Sequence, residues 1–231
     1  MTMREERIEV AGVPTIAVGE PDAEHVVVLL HGFMMEPGDL APFAHSLGLR
    51  AWWLFPEAPL PASPRGRAWW HIDPDRRLEA LAIGPRDFAG QHPPDLPAAR
   101  ELLGRFLDDV VARAAGRPLV VGGFSQGGML LTDTLLRAPR PVDAVMLLST
   151  SRIAFDEWPP YLAPCALRGV PVLISHGRAD DDLAFATGEA LRDCLVEAGA
   201  DVTWLPFDEG HEIPLPVWRA IRKLVQRVGA R

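Results

Sequence analysis

A chain of 231 residues with 48% apolar content and a formal charge of −8 can bury one large core or two small ones. No apolar run approaches the ~20 residues needed to cross a bilayer, and the basic residues occur singly or in short pairs such as Arg76-Arg77, without the stripe that a nucleic-acid backbone requires. Lys223, the only lysine, lies in neither a glycine-rich nor an active-site loop, which excludes a Walker A loop and a Schiff-base lysine.

Ile8 to Val18 reads as an antiparallel hairpin turning at Gly12-Val13-Pro14, at the edge of a sheet. His25-Val26-Val27-Val28-Leu29-Leu30 is a continuous β-branched and apolar run, expected of a strand buried on both faces, and it ends at His31-Gly32. Gly38 to Gly48 carries Leu40, Phe43, Ala44 and Leu47 at helical spacing, and Arg50 to Phe55 reads as the next strand. From Glu57 to Pro97 the periodicity is lost in proline, arginine and tryptophan. Tryptophan argues for order there, so this stretch is an excursion over the sheet with one short helix near Pro74 to Ile83.

Leu96 to Ala115 is the best helix, with Leu102, Leu103, Phe106, Leu107, Val110, Val111 and Ala114 on one stripe opposite Glu101, Arg105, Asp108 and Arg113. It leads to Pro118-Leu119-Val120-Val121 and then Gly122-Gly123-Phe124-Ser125-Gln126-Gly127-Gly128. A strand, a serine between glycines and a helix form the pattern of a nucleophile elbow, in which Gly123 and Gly127 stand where a side chain would collide with the neighbouring strand and helix. The plainer reading of the same residues is a glycine-rich strand-to-helix corner.

Gln126 to Arg137 makes a helix, Val142 to Leu148 a strand and 149–169 a second irregular stretch. Val170 to Ser175 and Val202 to Pro206 are the last strands, with helices at Ala184 to Ala198 and Pro214 to Val228. Buried strands alternating with helices predict a mostly parallel twisted sheet with helices on both faces, in a single domain over 1–231. Cys165 and Cys194 lack a metal-type spacing and read as reduced, partly buried thiols. The charged amino terminus lacks a secretory apolar region, so the expected location is cytoplasmic.

Ligands of an open parallel sheet gather at the carboxyl ends of its strands, where this chain places His31-Gly32, Ser125, Ser149, Asp180 and His211. Serine, acid and histidine in that chain order match an α/β-hydrolase triad. Asp180 is the expected acid, with Asp181 and Asp182 read as a solvated turn or helix cap. Asp208 and Glu209 are rivals on the histidine's own loop. His211 precedes a helix opened by Pro214 and is the expected base. Oxyanion donors are expected from the backbone N–H groups of Gln126 and Phe33. His31 and His176 are expected to fix loops by hydrogen bonds, and neither a metal site nor a cofactor site is predicted.

Leu30-His31-Gly32, Phe55-Pro56-Glu57-Ala58-Pro59, Arg67-Ala68-Trp69-Trp70, Gly123-Phe124-Ser125-Gln126-Gly127-Gly128, His176-Gly177-Arg178-Ala179-Asp180 and Gly210-His211-Glu212-Ile213 occur in that order. In these motifs the chain resembles the phospholipase/carboxylesterase group of α/β-hydrolases, which includes bacterial carboxylesterases and acyl-protein thioesterases. The resemblance implies Ser125, Asp180 and His211 as triad, Phe33 and Gln126 as oxyanion hole, and Trp69 lining the acyl side. Met34-Met35 departs from the family's small residue after the first oxyanion position, and Asp181-Asp182-Leu183-Ala184 departs from its apolar-proline ending.

The expected function is hydrolysis of short to medium carboxylic esters by a cofactor-independent serine hydrolase, with Met34, Trp69 and Trp70 lining an apolar pocket. Lysophospholipase or protein-deacylating activity on longer chains is the alternative within hydrolases, followed by peptidase activity. A non-catalytic binding protein on the same fold is the alternative of another class. The expected partner is a small-molecule ester, without nucleic acid or stable membrane insertion, and the chain is expected to be a monomer or homodimer.

Overall fold

The structure, a computed structural model, describes residues 3–228. The amino-terminal hairpin pairs β1 (Glu5–Val10) with β2 (Val13–Val18) and turns at Ala11 and Gly12, both at positive φ. β2 then runs antiparallel to β4 (Ala51–Pro56). From β4 onward every pairing is parallel: β3 (His25–Leu30), β7 (Leu119–Phe124), β8 (Ala144–Leu148), β9 (Pro171–Gly177) and β10 (Asp201–Phe207) complete one eight-stranded sheet in the order β1-β2-β4-β3-β7-β8-β9-β10. A separate two-residue pair, β5 (Leu60–Pro61) and β6 (Arg67–Ala68), forms a small hairpin in the excursion.

The period of two in β3 divides the core. Val26, Val28 and Leu30 pack with Leu103, Phe106 and Val110 of α3 (Leu96–Ala114) and with Met129 and Leu135 of α4 (Gln126–Arg137). Leu191 and Leu195 of α6 (Phe185–Glu197) join this side. Val27 and Leu29 face the other way, onto α1 (Ala41–Leu47) and α7 (Leu215–Val228). Each fully buried leucine, isoleucine or phenylalanine contributes roughly 1.5–3 kcal/mol, so a strand buried on both faces anchors both layers, as its unbroken apolar run predicts.

Two prolines account for a difference on the α1 side. The helix expected over Gly38 to Gly48 is a 3-10 turn at Pro37–Asp39 followed by α1, and Gly48 ends α1 at φ 60°. Pro37 and Pro42 each open a helical turn where their missing N–H costs nothing. β9 runs two residues beyond the expected Ser175 because β10 matches it to Phe207, pairing His176 with Pro206 and Gly177 with Phe207.

The excursion contains α2 (Pro74–Ile83), capped by Asp73, which accepts from the Asp75 and Arg76 N–H groups. No residue of α2 is buried. The second irregular stretch holds a 3-10 turn at Phe155–Glu157 and the short α5 (Pro159–Leu162). It hangs from Trp158, whose buried indole N–H donates to the buried carboxylate of Asp133. Cys165 and Cys194 are free, and burial pushes the Cys194 thiol up to about 11. Among the described residues no helix is long and apolar enough to cross a membrane.

Candidate active site

Close packing dictates the turn at Ser125. A Cβ on Gly123 would lie 2.4 Å from the Gly127 carbonyl carbon, and one on Gly127 would lie 2.6 Å from the His31 carbonyl oxygen. Ser125 itself sits at φ 51°, ψ −120°, a region that a residue with a side chain occupies only when its surroundings impose it. Those surroundings are hydrogen bonds: Ser125 N–H donates to Leu148 O at 2.9 Å, while its carbonyl accepts from Gly128 N–H at 3.0 Å and Thr150 Oγ1 at 2.7 Å. β7 thus ends in a strained serine at the head of α4.

The loops after β9 and β10 lie against each other. Arg178 N–H donates to Phe207 O at 2.7 Å and Ala179 N–H to Glu209 O at 3.2 Å. Gly177 is required because its Cβ would meet Gly210 O at 2.2 Å. This brings His211 Nδ1 within 2.7 Å of Asp180 Oδ2. A carboxylate accepts, so Nδ1–H donates and Nε2 is left as the basic nitrogen of the ring.

Asp180 also accepts from the N–H groups of Asp182 and Leu183, and His176 Nε2 lies 3.3 Å from its Oδ2. Burial works against ionisation of Asp180, but the hydrogen bonds from His176 and His211 and the Leu183 N–H outweigh it and hold the carboxyl down at about 2. The rival acids do not reach the histidine. Asp208 is 96% exposed beside Arg178, and Glu209 is exposed. Ser149, another strand-end residue, donates through Oγ to Glu212 O at 3.1 Å and so ties down the histidine loop.

Gly32 lets the loop after β3 approach the elbow: its Cβ would stand 3.1 Å from that of Ser125. Phe33 follows, and neither the Phe33 nor the Gln126 N–H has an acceptor among the described residues. His31 fastens this loop. Ala58 N–H donates to His31 Nε2 at 3.1 Å, which leaves Nδ1–H to donate to Gly32 O at 2.8 Å. Burial drives its pKa down to about 4 against the pull of the Gly32 carbonyl, so the ring is neutral, as that tautomer needs.

Trp69, expected to line the acyl side, is not among the residues that border the cavity over Ser125. It is 1% exposed, its indole N–H donates to His31 O at 2.9 Å, and its backbone N–H donates to Gln126 Oε1 at 2.8 Å. Gln126 Nε2 in turn donates to Trp70 O at 2.9 Å, so the Gln126 amide stitches the excursion to the elbow. Arg67 does the same for the loop after β3, where its backbone exchanges hydrogen bonds with Met34 and Met35. The paired tryptophans therefore divide their work, with Trp69 as a buried fastener and Trp70 at the cavity wall.

A cavity of about 260 Å³ opens over Ser125 and His211, with Phe33, Met34, Trp70, Ile72, Phe88 and Leu183 on its walls. Met34 is half exposed at φ 63° and stands at the rim. The cavity also exposes a charged cluster that sequence reading missed. Asp182, expected to be a solvated turn, is only 18% exposed and is held by Arg77 at 2.6 Å and by Arg86. Arg86 and the acid loop run side by side: Arg86 N–H donates to Asp182 O at 2.9 Å and Ala184 N–H to Arg86 O at 3.1 Å. An Asp triplet beside an arginine-rich excursion was the available signal, but nothing local indicates that residues ~100 positions apart meet.

A largely parallel sheet with an antiparallel amino-terminal hairpin, and a strained serine between strand and helix, define the α/β-hydrolase fold. The phospholipase/carboxylesterase family pattern matches residues 95–228, more than half of the sequence. The chain belongs to that family.

Similar solved structures include esterase PE8 (24% identity, 99% of this chain and 100% of that one, TM-score 0.73) and a carboxylesterase from Mesorhizobium loti (21%, 96% and 98%, TM-score 0.73). A phospholipase/carboxylesterase from Dyadobacter fermentans is 19% identical over 98% of both chains, with a TM-score of 0.66. At these identities the likeness establishes the fold. A curated sequence, ribosomal RNA small subunit methyltransferase C of Pseudomonas putida, is 27% identical over 145 residues, 51% of this chain. The match spans 43% of that protein, less than half its length, and carries no argument about activity.

Proposed function

We propose that the protein is a serine hydrolase of short to medium carboxylic esters, with Ser125 as nucleophile, His211 as general base and Asp180 as its orienting acid. The observation that carries this reading is the 2.7 Å contact between His211 Nδ1 and Asp180, with His211 and Ser125 on the walls of one cavity. His211 Nε2 takes the Ser125 proton as Oγ attacks the acyl carbon, and the free N–H groups of Phe33 and Gln126 receive the negative charge on the carbonyl oxygen. The imidazolium, stabilised by the ionised Asp180, then protonates the leaving alcohol, and water repeats the sequence to release the acid.

The apolar walls and modest volume of the cavity support acyl chains of short to medium length. Labelling by a fluorophosphonate tests the assignment: a mass shift on the Ser125 peptide is expected. A folded protein that resists labelling sinks it. A panel of p-nitrophenyl esters of increasing length then reads the acyl preference.

A further inference from the structure

Arg77 comes from α2, Arg86 from the segment that follows it and Asp182 from the acid loop, and all three border the cavity that holds Ser125. Two guanidinium groups share one carboxylate. Each donates to Asp182 through a single terminal nitrogen, and the Nε of both is buried without a partner. A guanidinium carries five N–H donors, so the pair retains unused donors. Arg86 is 10% exposed and lies over the Phe88 ring at 4.7 Å, so it is fixed in place rather than free to find solvent. Burial and the neighbouring Arg77 lower its pKa to about 10 against the opposing charge of Asp180, which still leaves it charged at neutral pH.

The other acids nearby make no hydrogen bond to the pair, although the Asp180 charge reaches Arg86. Asp180 is bonded to His211, Asp73 caps α2 and Asp95 accepts from His71 N–H. The second guanidinium places like charges together in a poorly solvated wall, where Asp182 and the nearby Asp180 carboxylate offset them. The same two arginines, with Trp70, Ile72 and Phe88, also border an adjoining open groove of about 670 Å³. The pair stands at the junction of the two spaces.

We propose that Arg77 and Arg86 form a carboxylate-reading subsite, so that the favoured substrates are half-esters of dicarboxylic acids, whose free carboxylate lies across an apolar spacer from the scissile carbonyl. This rests on the ester-hydrolase reading above and specifies its substrate class. Charge-assisted hydrogen bonds to a fixed guanidinium pair give discrimination of about tenfold or more over a neutral chain of equal length.

The test compares the p-nitrophenyl half-ester of glutaric acid with p-nitrophenyl pentanoate, in which a methyl replaces the carboxylate, and with a phosphate-terminated ester of similar length. The expected result is a kcat/KM ratio of about ten or more for half-ester over pentanoate, which shrinks with added salt. In Arg77→Gln the ratio collapses toward one, and in Arg77→Glu it inverts. A ratio near one in the native protein, or equal losses on both esters in the variants, overturns the subsite and leaves the arginines as a clamp. Preference for the phosphate-terminated ester over the half-ester overturns the carboxylate assignment. Calorimetric binding of the same esters to Ser125→Ala reads the subsite without turnover, with tighter binding of the half-ester expected and equal binding overturning it. Failure of the ester-hydrolase reading shows separately, as absent labelling of Ser125 and no hydrolysis of pentanoate.

Discussion

The elbow and the excursion over residues 57–97 both border one cavity, yet they are held in place by different physics. At the elbow, backbone meets backbone: Gly123, Gly127 and Gly32 each stand where a Cβ would come within about 3 Å of a neighbour, so the geometry follows from sterics. The excursion has one such contact, where a Cβ on Gly66 would lie 2.2 Å from the Met34 carbonyl oxygen. Its helix α2 buries nothing, Leu78 and Ile83 are exposed, and the excursion is tied down by Trp69, Gln126, the Arg67 backbone on Met34 and Met35, and the arginine pair on Asp182. Steric positioning suits the reacting atoms, where a displacement of an ångström is costly. A hydrogen-bonded strap suits the part of a pocket that selects substrates and can vary without disturbing the chemistry.

Substitutions separate the two walls. The largest effect is expected from Ser125→Ala, which lowers esterase turnover by about 10⁴-fold or more with unchanged urea unfolding; near-native turnover would remove the elbow from the mechanism. Next comes Asp180→Asn, expected to reduce kcat by about 10³ to 10⁴-fold because the amide no longer selects the Nδ1–H tautomer of His211. Asp181→Asn, at an exposed position, is expected to stay near native kinetics, and the reverse pattern would show that the neighbouring carboxylate is the partner.

The joint between the walls is sensitive to pH. His31 binds its proton more weakly folded than unfolded, so stability is fully present above the unfolded value near 6.5 and declines as pH falls toward about 4. The loss amounts to about 3 kcal/mol across that window. Urea titrations at pH 7 and pH 5 are expected to show about 2 kcal/mol of it in the native protein and a smaller difference in His31→Gln; equal differences would remove His31 as the cause. The smallest effect is expected on the excursion side. Trp69→Phe deletes the indole N–H to His31 O and costs about 1–3 kcal/mol of unfolding free energy. If Trp69 is a fastener, the acyl-length profile of that variant keeps its shape; a shifted optimum would return Trp69 to the pocket wall.

Much of the fold was legible because its signals are local. The apolar runs of β3 and β7, the stripe of α3, the bounds of α2 between Asp73 and Gly84, and the glycine spacing at Ser125 each need only a few neighbouring residues. The order of Ser125, Asp180 and His211 was legible for the same reason, since strand ends mark where an open sheet exposes polar groups. The errors concern direction. Tryptophan content reports that the stretch around Trp69 is ordered but not which way its indole points. The sequence of Asp180-Asp181-Asp182 does not reveal that Asp182 turns inward as well, or onto what.

The sequence by itself determined the layered sheet, the strained turn at Ser125 and the chain positions of an acid and a histidine, because apolar period and glycine placement act through neighbours along the chain. Tertiary structure alone decided that Trp69 locks the loops while Trp70 faces the cavity, and that Arg77, Arg86 and Asp182 converge on its wall. Those outcomes depend on which surfaces meet across the parallel register of β9 and β10 and on how a loosely periodic segment settles over the strand ends. Contacts at such separation leave no period in the sequence, and the charge that they concentrate beside Ser125 emerges only when the chain is folded.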